Sequence, residues 1–202
     1  MKTKSVDTRR MVLLAMISGI LLIMSFTPLG YLNIGPLAIS LNMIPVAIGA
    51  VALGPGGGAF LGAVFGITSC LQCVGIGGTS AMGVILFEIS PVLTVFQRFA
   101  TRLLAGWLTG VLYRGLRKLH FIYAGFAAGF SAALFNTAFF MGALVLLFGH
   151  TPYLQNLIAG RNILVFTLSF VGINAFVELL AATLTVGVVC RALEKLNMIG
   201  GK

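Results

Sequence analysis

The sequence predicts an all-α membrane protein with six transmembrane helices and both termini cytoplasmic, and three observations predict it. Hydrophobic residues make up 59% of the 202 and charged residues 8%, with a mean hydropathy of +1.08. That is more apolar surface than a soluble domain of this length can bury. Apolar runs long enough to cross a hydrocarbon core of about 30 Å as helices then follow one another, separated by short breaks rich in Gly, Pro and polar residues. Finally, basic residues gather at the ends of those runs on one side, where positive charge marks the cytoplasm.

The spans follow in order as one domain over residues 1–202. The first, about 11–28, succeeds the basic "MKTKSVDTRR". It is too long for a signal peptide's apolar region and no small-residue cleavage site follows, so it reads as an uncleaved helix. The second and third, about 37–53 and 57–74, meet at "GPGG" and read as a hairpin; the fourth, fifth and sixth cover about 88–112, 121–148 and 161–190. The last two exceed a perpendicular crossing, which implies tilt, projection or a bend. Six crossings place Lys2, Lys4, Arg9, Arg10, Arg114, Arg117, Lys118, Arg191, Lys195 and Lys202 on the side of the termini. The net charge of +9 is therefore a topology signal rather than a nucleic-acid footprint. Arg98, Arg102 and Arg161 need another reason.

The third span carries a glycine ladder. Gly58, Gly62 and Gly66 recur every fourth residue, which puts them on one helix face as a strip without side chains. In lipid, such strips let backbones approach closely and gain dispersion contacts, so this helix is expected to be tightly packed. It ends in Thr68, Ser69 and Gln72, under a loop, "VGIGGTSAMG", rich in glycine and small hydroxyls. A polar finish on a closely packed helix suits a small-molecule site open to the exterior. Ala15 and Gly19 make a second strip, for packing or for a partner protein; Gly125, Gly129 and Ala133 make a third, for packing the fifth span.

Charges at membrane depth are costly, about 2.5–3.5 kcal/mol on insertion scales, and by default mark function. Glu178 is the deep acid and Arg98 and Arg102 are the deep bases. At 1.5 Å per residue, Arg102 and Glu178 lie roughly 16 and 20 Å from the cytoplasmic ends of their helices. They share a level and are expected to form a structural ion pair. Arg98, one turn outward, then has no acid left. It either awaits an anionic ligand, a carboxylate suiting its guanidinium fork best, or snorkels outward or pairs with Glu88. Asn136, Asn174, Asn42, Gln97 and Gln72 are candidates to complete a cavity, contacting each other or a ligand's hydroxyl and amide groups. Trp107 reads as helix packing and Tyr113 as an interfacial anchor.

Cys70 and Cys73 form a C-x-x-C without a second ligand pair, and His120 and His150 are distant, which favours packing over zinc. The sequence offers no nucleophile–base pair, and "GPGGG" lacks the lysine of a P-loop. No catalytic residue, metal or cofactor is expected, and no ATP hydrolysis by this chain.

Six short spans, a basic N-terminus before a small-residue first helix, the stretch "LNMIPVAIGAVALGPGGGAFLGAVFGITS" and a small-polar loop before the fourth span together resemble the substrate-binding S-components of energy-coupling factor (ECF) vitamin transporters. The resemblance covers nearly the whole chain and is most specific over residues 41–69. It implies a multi-pass cell-membrane protein of a prokaryote, commonly Gram-positive, that captures a vitamin outside and topples to release it inwards. The implied partners are one transmembrane coupling protein and two ATPases, which hydrolyse the ATP. Family members carry Ala-x-x-x-Ala on the first helix for docking on the coupling protein; Ala15 and Gly19 occupy those positions, with the second alanine replaced. The second and third spans are most similar to the pantothenate-specific branch. There Arg98 would meet the carboxylate, and Asn136, Gln72 and Asn174 the polar remainder. Riboflavin and folate branches stay open, as does a self-sufficient secondary transporter using Glu178 as a proton or sodium site, or a purely structural membrane partner. Small size, a single deep acid and the lack of paired broken helices argue against the secondary transporter.

Overall fold

The protein is seen in a computed structural model that describes residues 8–33, 38–78, 80–118 and 121–196. Lys2, Lys4, Asp7, His120 and Lys202 lie outside the described residues. The helices are α1 (Thr8–Phe26), α2 (Met43–Leu53), α3 (Pro55–Leu71), α4 (Ala81–Ile89), α5 (Pro91–Leu116), α6 (Phe121–Phe148), α7 (Pro152–Ile158) and α8 (Ile163–Lys195). Two short strands, β1 (Tyr31–Asn33) and β2 (Ala38–Ser40), pair antiparallel with Tyr31 opposite Ser40. Four helical segments, Thr8–Phe26, Pro55–Val74, Tyr123–Phe148 and Asn174–Lys195, are long and apolar enough to cross a membrane by length and composition.

Two expected spans differ from the observed elements. The second is shorter, because residues 38–40 pair with β1 and the helix begins only at Met43. The fourth is broken at Ser90, whose extended backbone (φ −158°, ψ 104°) ends α4 and starts α5. Pro91 is the cause, since its ring disfavours helical geometry in the preceding residue while suiting the first position of a new helix. Pro152 likewise opens α7, capped by the Thr151 hydroxyl, which accepts from the Leu154 N–H. Between α2 and α3 the chain reverses at Gly54, whose φ of +81° favours glycine.

The glycine ladder packs α3 against α5. A Cβ on Gly58 would stand 2.3 Å from the Gly106 carbonyl oxygen, one on Gly62 2.3 Å from that of Arg102, and one on Gly66 2.8 Å from the Phe99 Cα. Gly106 returns the approach, 2.1 Å from the Gly58 oxygen. The two backbones therefore touch at three successive levels, from Gly58 to Gly66, and Arg102 is fixed at the contact. The third strip does the same for α6 and α8: a Cβ on Gly129 would meet the Ala182 oxygen at 2.3 Å, and Ala133 is buried.

A larger apolar core joins Leu21, Val46, Leu61, Phe65, Ala128 and Val186. A second, of Met82, Leu86, Met141, Leu144, Phe148 and Phe166, ties α4 to the end of α6 and the start of α8. Trp107 and Tyr113 exchange their expected places. Trp107 is 44% exposed, whereas Tyr113 is 2% exposed with its hydroxyl 3.7 Å from the Cys190 Sγ. Tyr113 continues the buried stripe of Arg98, Arg102 and Thr109 on α5, and Trp107 sits off it. Cys70, Cys73 and Cys190 are free thiols; Cys73 donates to the Ser69 carbonyl at 3.3 Å.

Candidate ligand-binding site

A cavity of about 580 Å³ opens where α1 and α3 end, walled by the β1–β2 hairpin, the start of α4, and α5, α6 and α8. Its size falls within the range of small-molecule sites. Of the residues expected to bind a ligand, Arg98, Ser69, Gln72, Asn136 and Asn174 line it, and so do Arg102 and Glu178.

Arg98 is 3% exposed, which excludes both a snorkelling side chain and a partnership with the exposed Glu88. Its Nη1 donates to the Ser69 hydroxyl at 2.8 Å and its Nη2 to the Ser80 hydroxyl at 3.1 Å, while Nε is buried without a hydrogen bond. No carboxylate pairs with it among the described residues. Ser80 is also the cap of α4, accepting the Gly83 N–H at 3.3 Å. The guanidinium thus lies at a helix N-terminus, where the aligned peptide dipoles add positive potential. Gly83 makes the room, since a Cβ there would come 2.5 Å from the Arg98 Nη2. Because the atoms met are side-chain ends, the Arg98 guanidinium and the Cys73 Sγ at 3.0 Å, Gly83→Ala should leave the fold intact and displace the guanidinium. We expect a loss of roughly tenfold in affinity for a carboxylate ligand, about one charge-assisted hydrogen bond, with an unchanged melting temperature; titration calorimetry beside a thermal melt checks it.

The expected ion pair between Arg102 and Glu178 is not formed. Arg102 donates from Nη1 to the Arg98 carbonyl at 3.1 Å and its Cζ stands 4.5 Å from the Phe65 ring centroid and 5.5 Å from that of Phe140. Glu178 instead accepts the Ser40 backbone N–H at 2.6 Å through Oε1. The close glycine-mediated packing of α5 on α3 turns Arg102 toward aromatic faces, which attract a cation, and the hairpin supplies Glu178 with a donor. Two arginines and one acid therefore share the cavity wall without a direct salt bridge.

Three expected ligand contacts stand behind the wall. The Thr68 hydroxyl donates to the Phe65 carbonyl at 2.9 Å and lies 3.1 Å from the Ser25 hydroxyl. Gln97, a third of a turn from Arg98, faces α6 and donates to the Phe140 carbonyl at 3.3 Å. Asn42 is fully buried at the start of α2 with neither amide atom hydrogen-bonded. Gln72 does line the cavity, its amide anchored on the Ser25 carbonyl at 2.7 Å. The structure adds Ser25, Thr27, Tyr31, Ser40, Ser80 and Phe140 to the lining. A signal for Ser80 was present in the chain: Ser before an apolar run is a helix cap.

Ala15 is exposed and partly exposed Gly19 would admit a Cβ with nothing within 4 Å. This strip does not pack inside the bundle; it lies on an outward face with Met11, Val12, Met16 and Ile23.

A helical bundle with membrane-length apolar helices and a buried, polar, cationic cavity has the architecture expected of a membrane protein that binds a small molecule. The profile of the family "ECF transporter, substrate-specific component" matches residues 9–190, and the chain belongs to that family. It is a transport subunit, not an enzyme. It is also 27% identical over 194 residues to the pantothenate transporter PanT of Leuconostoc mesenteroides subsp. mesenteroides, a match covering 90% of each chain. That relative agrees with the likeness to the pantothenate branch read from the second and third spans.

Proposed function

We propose that the chain captures pantothenate from the extracellular side of a prokaryotic cell membrane and delivers it after docking on a module of one coupling protein and two ATPases. The observation that carries the ligand's charge is Arg98: a buried guanidinium on a cavity wall, hydrogen-bonded among the described residues only to two hydroxyls, with Nε unpartnered, and backed by a helix N-terminus. Desolvated and without an acid among the described residues, it favours an anion, and a carboxylate accepts two of its N–H groups. The named relative supports pantothenate among carboxylate vitamins. Pantothenate's amide and hydroxyls suit the Asn136, Asn174 and Gln72 side chains on the same cavity.

The topology follows from charge. α2 and α5 join the four apolar segments to make six crossings, with Arg9, Arg10, Arg114, Arg117 and Arg191 on the cytoplasmic side. The cavity then faces outward. Family membership favours a capture subunit over a self-sufficient ion-coupled transporter, for which Glu178 would be the acid. The small molecule that co-purifies with the chain tests the reading: mass spectrometry of the protein's denatured extract should release pantothenate, and riboflavin or folate in its place would refute the choice of vitamin.

The outward strip on α1 is the docking surface for the coupling protein. Leucine at exposed Ala15, or at Gly19, where a Cβ would meet nothing within 4 Å among the described residues, adds bulk to this outward face without disturbing the bundle. Uptake by cells carrying all subunits should fall at least tenfold, a modest 1.4 kcal/mol of interface energy, with ligand binding by the isolated chain unchanged. Loss of both would mean that the strip serves the bundle instead.

A further inference from the structure

The Glu178 end of the cavity is built differently from the Arg98 end. Glu178 is 8% exposed and lines the cavity, yet among the described residues no cation pairs with it; Oε1 takes the Ser40 N–H and no described group donates to Oε2. Around the same cavity, the Tyr31 hydroxyl, the Ser40 Oγ and the Asn136 Oδ1 are buried with no hydrogen-bond partner. A carboxylate and an amide oxygen only accept hydrogen bonds, and hydroxyls can do so. Leaving such atoms unpaired is costly. Glu178 repels a second carboxylate, and these cavity acceptors are satisfied by donors.

We propose that Glu178 is a specificity-determining residue: with Asn136 it accepts hydrogen bonds from hydroxyl groups of the ligand, making those hydroxyls a condition of tight binding and orienting the carboxylate toward Arg98. The inference rests on the reading of the chain as a binder of a hydroxylated carboxylate vitamin, and goes beyond it by giving the deep acid a ligand-reading role. A ligand lacking the hydroxyls would cover the corner while leaving its acceptors unpaired, and sites of this kind reject such analogues strongly.

The test is calorimetric titration of the unaltered protein and of Glu178→Gln with pantothenate and with the analogue bearing hydrogen at both hydroxyl positions. The glutamine retains an acceptor for the Ser40 N–H, so the hairpin contact survives. Unaltered protein should prefer pantothenate by roughly a hundredfold or more. In Glu178→Gln that preference should shrink to about tenfold or less, with affinity for the analogue changed by no more than about threefold. An unchanged preference, or equal weakening of both ligands, would overturn the role and leave Glu178 as a hairpin anchor. Equal affinity of the unaltered protein for the two ligands would overturn it without any variant. Failure of the unaltered protein to bind pantothenate at all would instead overturn the choice of vitamin, and with it the hydroxyls assigned to this corner.

Discussion

Arg98→Ala should weaken pantothenate binding by about 3 kcal/mol, on the order of a hundredfold or more. The alcohol analogue of the vitamin, which presents a hydroxyl in place of the carboxylate, should lose no more than about fivefold, because a neutral group gains little from a guanidinium. The difference between the two losses isolates the charge, which the loss of pantothenate affinity alone does not. Arg98 holds Ser69 and Ser80 as well as facing the cavity, so its removal disturbs both walls to some degree. That disturbance weakens both ligands alike. Arg98→Lys should fall between, since a lysine supplies the charge without the planar fork. Equal losses for vitamin and alcohol in Arg98→Ala would refute the ion pairing.

Gly62→Val should be the most damaging single change to the fold. The first side-chain carbon alone would sit 2.3 Å from the Arg102 carbonyl oxygen, and a backbone atom cannot move aside as a side chain can. Overpacking of this kind costs about 1–3 kcal/mol for a single added group, and valine adds three. α3 and α5 must separate, which shifts Arg102 and loosens Arg98 one turn away. A thermal melt of the purified protein should fall steeply and ligand binding should disappear. Gly19→Val, of the same chemistry on the open face of α1, should leave both unchanged, and an equal fall there would contradict the distinction between packing and docking strips.

These two residues were legible in the chain for the same reason. A four-residue repeat and a charge in an apolar run are local patterns, and helix geometry converts them directly into a strip and a level. Cavity residues on different helices were legible only as candidates. Arg98, Asn136 and Asn174 converge, whereas Gln97, adjacent to Arg98 in sequence, turns toward α6. The direction of Tyr113 was readable from its spacing to Arg102 and Thr109, but the aromatic-belt rule pointed elsewhere. Ser90–Pro91 carried its own break signal, masked by the apolar residues either side. Tyr31 and Ser40 were not legible: three-residue strands offer too little alternation to register, and the Ser40–Glu178 contact spans 138 positions. That contact also displaced the expected Arg102–Glu178 pair, because depth along a helix fixes a level and not a rotation.

The most direct measurement is titration of the detergent-solubilised chain alone, without ATP, sodium or partner subunits, first with pantothenate and then with its alcohol analogue. Saturable one-to-one binding of the vitamin is expected, with binding of the alcohol weaker by about a hundredfold, the worth of one desolvated charge-assisted pair. Equal affinity for the two, or binding that appears only with sodium, would contradict it.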